Sequence, residues 1–341
     1  MTANRVYVYG ASQLSVQQPL SEDWMKEPIV LEAGYNRSVE PDYRQYIQPL
    51  EARRMGKLLK RAVVVAGDAL TRAGVTMPDA IVTGTGLGCV ESTEFFLDAM
   101  CREGESLLKP TYFMQSTHNT ISSSLAIRLR CHGYNATYAH KSISFESALK
   151  DAVMQVEEES IGTAMVCGFD EVTPSYYGLL KKIGFLGREG EASGESAVAV
   201  VIGGKQEGEK AICSIAGLKM LYCPDYSQMR SAVSQMLESA GVKAEEVGGV
   251  LLGYNGSERS RVLYDGLRKG ALGEFEPLHF KSIFGECYTA SALAFYASVC
   301  CMAAGAIPEV MRMDVRGTKP CKSILVVNFD DEKNCAITLL K

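Results

Sequence analysis

The chain writes one pattern twice, and that repeat restricts its possible folds more than any other feature. Residues 69–86 read ALTRAGVTMPDAIVTGTG and residues 236–256 read MLESAGVKAEEVGGVLLGYNG. In each, an amphipathic helix stops at Ala-Gly-Val, a polar link follows, and a short apolar strand runs into a glycine-rich turn. Apolar positions Met55, Leu58, Leu59, Ala62, Ala66, Ala69, Leu70 and Ala73 recur at helical spacing. The glycines after Ala73 and Ala240 are C-cap signals. Further on, Ser147-Ala148-Leu149 opens a helix leading to the strand TAMVCGFDE (163–171), and Ser291-Ala292-Leu293 opens one leading to SILVVNFDDE (323–332). Helix and strand alternate in both stretches, which specifies an α/β class with sheet layers between helices. The expected halves are residues 1–205 and 206–341, joined through the polar GGKQEGEK.

Such a duplication buries its central helices and places its site on the pseudo-twofold axis between the halves. Small residues (Ala148, Ala152, Ala292, Ala294) would let the Ser147 and Ser291 helices approach closely. Ser142 lies five residues before Ser147, and Glu286 lies five before Ser291. Both therefore occupy one position in the repeat, ahead of equivalent helix N-termini. Backbone N–H groups and the positive dipole end there suit a nucleophile or an anion.

Bulk properties exclude several classes. Thirty-five basic against forty acidic residues give a net charge of −5, so no nucleic-acid partner is indicated. Arg53, Arg54, Lys57, Lys60 and Arg61 form a basic cluster, read as a solvated helix face that could alternatively meet an acidic protein. Eleven cysteines without C-x-x-C spacing point to reduced thiols. The opening MTANRVYVYG lacks a basic region followed by a long apolar stretch, so the expectation is a cytoplasmic chain. The apolar run 292–306 is too short for a membrane span and reads as a buried helix. No metal-ligand spacing occurs, and neither metal nor cofactor is expected. Ser147 and Lys150 match S-x-x-K, but no S-D-N or K-T-G follows. The turn Gly84-Thr85-Gly86-Leu87-Gly88-Cys89 lacks the third glycine of a dinucleotide fingerprint and reads as a plain tight turn. Cys89 and Cys287 read as ordinary buried thiols.

Five segments in order resemble a β-ketoacyl synthase of the thiolase fold. QSTHNTISSSLAIRLRCHGYNATYAHKSISFESALKDA (115–152) resembles the stretch around that family's nucleophilic cysteine. CGFDE resembles its Gly-Gly-x-Glu/Asp turn, and GREGEASGESAVAVVI its glycine-rich loop and closing strand. GYNGS resembles the segment carrying the first catalytic histidine, and FKSIFGE the segment carrying the lysine and second histidine. The resemblance covers nearly the whole chain. It implies a five-layered αβαβα arrangement of two similar halves, with an acyl carrier protein as partner. It also implies a dimer seam at the strand 135–141, either in a homodimer or beside a second synthase. Carried over, the nucleophile position falls on Ser142, the first histidine on Asn255, the second on Glu286, and the lysine is retained as Lys281. The four histidines (His118, His132, His140, His279) lie in neither histidine position, and the glycine-rich gating loop is replaced by Asn328-Phe329-Asp330-Asp331-Glu332.

A serine hydroxyl needs a positioned base to act as a nucleophile. Asn255 can donate a hydrogen bond but accepts no proton. Glu286 could serve as a base if its pKa were raised, and His140 would share a face with Ser142 if the segment were extended. The resemblance implies a chain-length-factor-like, non-condensing subunit, similar to the ketosynthase-like proteins of bacterial aryl-polyene and flexirubin-type clusters. Two other readings stay open: an acyltransferase or 3-oxoacyl synthase using Ser142 as acyl acceptor, and a homodimeric acyl-binding protein.

Overall fold

A computed structural model describes residues 5–105, 108–205, 210–313, 317–330 and 333–341. Part of the polar link (206–209) and Asp331 and Glu332 of the segment 328–332 lie outside the described residues. Ten strands form one mixed sheet: β1 (Val6–Leu14), β2 (Ala80–Gly84), β3 (Tyr134–Tyr138), β4 (Thr163–Asp170), β5 (Ser196–Gly203), β6 (Cys213–Tyr222), β7 (Val250–Leu252), β8 (Pro277–His279), β9 (Ile324–Asp330) and β10 (Asn334–Leu340). Their order is β8-β7-β9-β10-β6-β1-β5-β4-β2-β3. Read outward from the middle, β1-β5-β4-β2-β3 and β6-β10-β9-β7-β8 are the same path walked twice. In each, two antiparallel pairings are followed by two parallel ones. The paths meet where β1 pairs antiparallel with β6, Tyr7 opposite Ser214.

The principal helices are α1 (Lys57–Ala73), α2 (Val90–Glu103), α3 (Thr120–Leu129), α4 (Ser144–Glu157), α5 (Pro174–Lys182), α6 (Tyr226–Ala240), α7 (Glu258–Gly270) and α8 (Ala290–Ala304). Gly74 (φ 69°) and Gly241 (φ 61°) end α1 and α6 in the left-handed conformation that the repeat's Ala-Gly-Val stops require. Strand alternation sorts side chains into layers. On β4, Ala164 and Val166 join the central core while Met165, Cys167 and Phe169 face α1 and α3. On β9, Ile324 and Val326 face the centre while Leu325, Val327 and Phe329 face α6 and α7. The central core holds α4 and α8, so the layers run helix, first half of the sheet, helix pair, second half of the sheet, helix.

The α4 and α8 helices lie side by side. Ala148, Ala152, Ala292 and Ala294 are fully buried, and Phe145 meets Phe295 edge-on at 5.6 Å. Such aromatic contacts add roughly 0.5–1.5 kcal/mol beyond area burial. Both helices begin earlier than the sequence suggested, at Ser144 and Ala290. The basic cluster is only partly a solvated face. Arg61 points inward on α1, fully buried, with Nη2 bonded to Glu40 at 2.5 Å and to Glu195 at 3.0 Å. Helical periodicity explains this, because Arg61 shares the inward side with Leu58 and Val65.

Candidate functional site

β7 delivers Gly253, Tyr254 and Asn255 to the start of α7, whose N-cap is Ser257. The Asn255 side-chain oxygen accepts from the Ser257 N–H (3.1 Å) and hydroxyl (2.7 Å), a local turn that fixes the amide's orientation. Its Nδ2 therefore points the other way, donating to Glu286 Oε2 at 2.8 Å and Glu191 Oε2 at 3.3 Å. β8 leads into a short helix (Lys281–Phe284) that places Lys281 Nζ 2.7 Å from the same Glu286 oxygen. Gly285 (φ 81°) follows, where a Cβ would lie 2.6 Å from the Gly194 nitrogen. That close approach lets Glu286 donate its N–H to the Ala192 carbonyl (2.7 Å) and accept from Gly194 N–H (2.9 Å). Residues of the two repeats are thereby stitched together at the site.

The network is buried and internally balanced. Lys281 is 5% exposed and Asn255 6%. Burial works to lower the Lys281 pKa, but the adjacent Glu286 carboxylate outweighs it and holds the ammonium above the ordinary lysine value. Burial, and then the nearby Glu286 charge, push the Glu191 carboxyl up. Glu191 accepts from Gly187 N–H (2.7 Å) and the Ser193 hydroxyl (3.0 Å), with Arg188 at 3.8 Å. A cavity of about 60 Å³ lined by Arg188, Asn255, Tyr264, Lys281, Glu286 and Phe329 opens here. It has room for small polar species and not for a long chain.

Ser142 sits apart from this cluster in hydrogen-bonding terms. It occupies a 3-10 turn (Lys141–Ile143) entered through Lys141 at φ 50°. The segment is not extended, so His140 and Ser142 do not share a strand face. The His140 ring turns instead to Ser147, Nδ1 to Oγ 2.9 Å. The Ser147 hydroxyl donates to the Ile143 carbonyl (2.9 Å), so Nδ1 is the donor in the contact with His140. Ser142 joins the described network through its carbonyl, which accepts from Asn328 Nδ2 at 2.7 Å. The structure thus gathers Asn255, Lys281 and Glu286 directly, while Ser142 lies on a separate turn and is not among the residues lining their cavity.

Three features escaped the sequence reading. Asn328 also donates to Glu146 Oε1 (2.8 Å), a carboxyl enclosed on α4 whose other oxygen accepts from Ser291 on α8 (2.9 Å). Burial raises the Glu146 pKa to about 7. A charged residue between Phe145 and Leu149 on a buried helix face, and an Asn inside ILVVNF, were the available signals. Second, the glycine-rich turn is a nest already filled from within. Asp170 accepts from Gly86 N–H (3.0 Å), Leu87 N–H (2.7 Å) and the Thr85 hydroxyl (3.1 Å). Third, a cavity of about 520 Å³ lies between α2 and α5, walled by Leu87, Val90, Phe95, Leu97, Tyr176 and Leu179. It begins at the turn whose Thr85 carbonyl lies 3.0 Å from the Ser144 hydroxyl. Among the described residues no group of His, Cys, Asp or Glu is arranged to hold a metal, and no helix is long and apolar enough to cross a membrane.

A doubled five-strand path around paired central helices, with a polar site where the repeats meet, defines a thiolase-like α/β protein of the ketosynthase class. The sequence matches the family described as beta-ketoacyl synthase, N-terminal domain, over residues 22–239, and the chain belongs to that family. Solved structures share the fold over 99% of both chains. They include "The ishigamide ketosynthase/chain length factor" (18% identity, TM-score 0.78). A β-ketoacyl synthase from Burkholderia phymatum STM815 aligns at 15% identity and TM-score 0.81, also over 99% of both chains. A type II PKS acyl-carrier protein in complex with its ketosynthase, bound to the hexaketide, gives 12% and 0.76 over 99% of both. No curated protein matches the chain by sequence.

Proposed function

We propose that the chain is a β-ketoacyl synthase homologue lacking the Cys-His-His triad, a chain-length-factor-like subunit that does not itself condense acyl units. It would act beside an active ketosynthase and an acyl carrier protein in fatty acid or polyketide biosynthesis of the aryl-polyene type. The observation that carries this reading is the closed network around Glu286. One carboxylate oxygen accepts from both Lys281 (2.7 Å) and Asn255 (2.8 Å), so that oxygen is already taken up as an acceptor within the protein. Asn255 has no proton-accepting nitrogen. His140 is committed to Ser147, and among the described residues no hydrogen bond reaches the Ser142 hydroxyl. A serine without a base is a weak nucleophile at neutral pH.

The cavity of about 520 Å³, where Leu87, Val90, Phe95, Leu97 and Leu179 stand beside Glu94, Asp98 and Arg102, supports a role in holding or measuring an acyl chain, since ligand pockets commonly span about 300–1,000 Å³. The repeated strand path supports the division at residues 205 and 206. β3 is an edge strand with Tyr134 43% exposed, which supports pairing with a second copy or with the synthase. The related complexes named above concern a ketosynthase/chain length factor and a carrier protein bound to its ketosynthase. A cytoplasmic setting fits such a partner set.

The test is reconstitution with an intact Cys-His-His ketosynthase, carrier protein and malonyl units, with products sized by mass spectrometry. The chain alone should make nothing, and its addition should fix the partner's product length. Unchanged product length, or condensation by the chain alone, would sink the proposal.

A further inference from the structure

The turn bearing Ser142 carries strain. Lys141 holds the left-handed conformation at φ 50°, which is strained for a non-glycine residue and persists only where neighbours enforce it. Within the segment, Ser144 Oγ accepts from His140 N–H (2.8 Å) and turns its proton toward the Lys141 carbonyl (2.6 Å). From elsewhere in the fold, Asn328 on β9 reaches the Ser142 carbonyl (2.7 Å). The second hydrogen of the same Asn328 nitrogen goes to Glu146 Oε1 (2.8 Å), and Ser291 of α8 closes the chain on Oε2 (2.9 Å). The relay Ser142–Asn328–Glu146–Ser291 crosses from the turn to β9, α4 and α8.

We propose that Glu146 is a positioning residue: its ionised carboxylate fixes the orientation of the Asn328 amide, and that amide holds the Ser142 turn, so that protonation of Glu146 loosens the turn. The chemistry is a matter of donors and acceptors. An ionised carboxylate only accepts, so Asn328 must present its NH₂ edge, and the same edge satisfies the Ser142 carbonyl. A protonated carboxyl can donate. It then tolerates the flipped amide, which presents oxygen to Glu146 and sets that same oxygen against the Ser142 carbonyl, so the bond is replaced by repulsion and the turn must move away. Direct partners of Glu146 from β9 and α8 are neutral. The charged group acting on it is Lys281, already paired with Glu286, and the titratable neighbour from β10 is the buried Cys335 thiol. With no cation in contact, the carboxyl protonates near neutrality, so both amide states are within reach.

This regulation concerns the site assigned above and rests on that assignment for its relevance, but its test reads the turn alone. Hydrogen exchange of the amides from His140 to Phe145, corrected for intrinsic rates, would be compared at pH 6 and pH 8. Protection should fall about fivefold at the lower pH, as expected for loss of one hydrogen bond. Glu146→Gln should abolish the pH dependence, and Asn328→Ala should leave the turn loose at both values. Should Glu146→Gln fold poorly, carboxyl ¹³C NMR of the wild type must show a group titrating in step with the exchange change. Wild-type protection indifferent to pH, or the same dependence surviving in Glu146→Gln, overturns the proposal. Neither result touches whether the protein condenses acyl units.

Discussion

At the scale of single residues, the site is a set of charges that satisfy one another. Removing one partner of a buried pair strands the other, at a cost of about 3–5 kcal/mol. Lys281→Met should therefore destabilise by that order, because Glu286 would retain only Asn255. The double change Lys281→Met with Glu286→Gln should recover most of the loss in urea titrations. A single change costing under about 1 kcal/mol would place the pair in water, contrary to its burial. Motif spacing singled out Asn255, Lys281 and Glu286, and the structure joins the three in one hydrogen-bonded cluster. Glu146 was not, since nothing in the chain announces that Asn328 will lie against it nearly two hundred residues away. The extended premise under which His140 would share a face with Ser142 fails for a local reason: Lys141 turns left-handed, and the segment is not a strand.

At the scale of elements, the repeat made most of the fold readable. Paired C-cap glycines, matched strands and small-residue helices all recur where the duplicated sequence places them. Register and close contact were less accessible, because they depend on which atoms meet. Gly168 of β4 illustrates this. A Cβ there would lie 2.6 Å from Ala292 Cβ on α8, so strand and central helix touch without side-chain room. Gly168→Ala should cost roughly 1–3 kcal/mol through overpacking. Ala292→Gly in the same protein should return part of it, as a double-mutant cycle by chemical denaturation would measure. Additive losses would mean the two surfaces are not in contact.

At the scale of the whole molecule, buried carboxyls set the response to pH. Burial raises Glu146 and Glu171 to about 7 and Asp170 to about 6. The folded chain therefore binds more protons than the unfolded chain between the ordinary carboxylate range and neutrality. Stability must then fall as pH rises through that window. Glu40 and Glu195 act oppositely: against the burial that would raise them, Arg61 holds both below the ordinary value. Their contribution is lost only as pH drops through their lowered pKa values. The stability maximum is expected on the mildly acidic side, and denaturant midpoints measured from pH 4 to 8.5 should peak below neutrality. A peak at pH 8 or above would contradict the burial of these groups. Assembly belongs to this scale as well. The edge strand β3 predicts a dimer at micromolar concentration by light scattering, and a strict monomer would count against it.

The proposed absence of condensing chemistry is tested most directly by incubating the protein with acyl- and malonyl-carrier protein and recording intact mass. The expected result is an unmodified chain and undiminished malonyl-carrier protein. An acyl ester on Ser142 that disappears in Ser142→Ala and weakens in Glu286→Gln would contradict it.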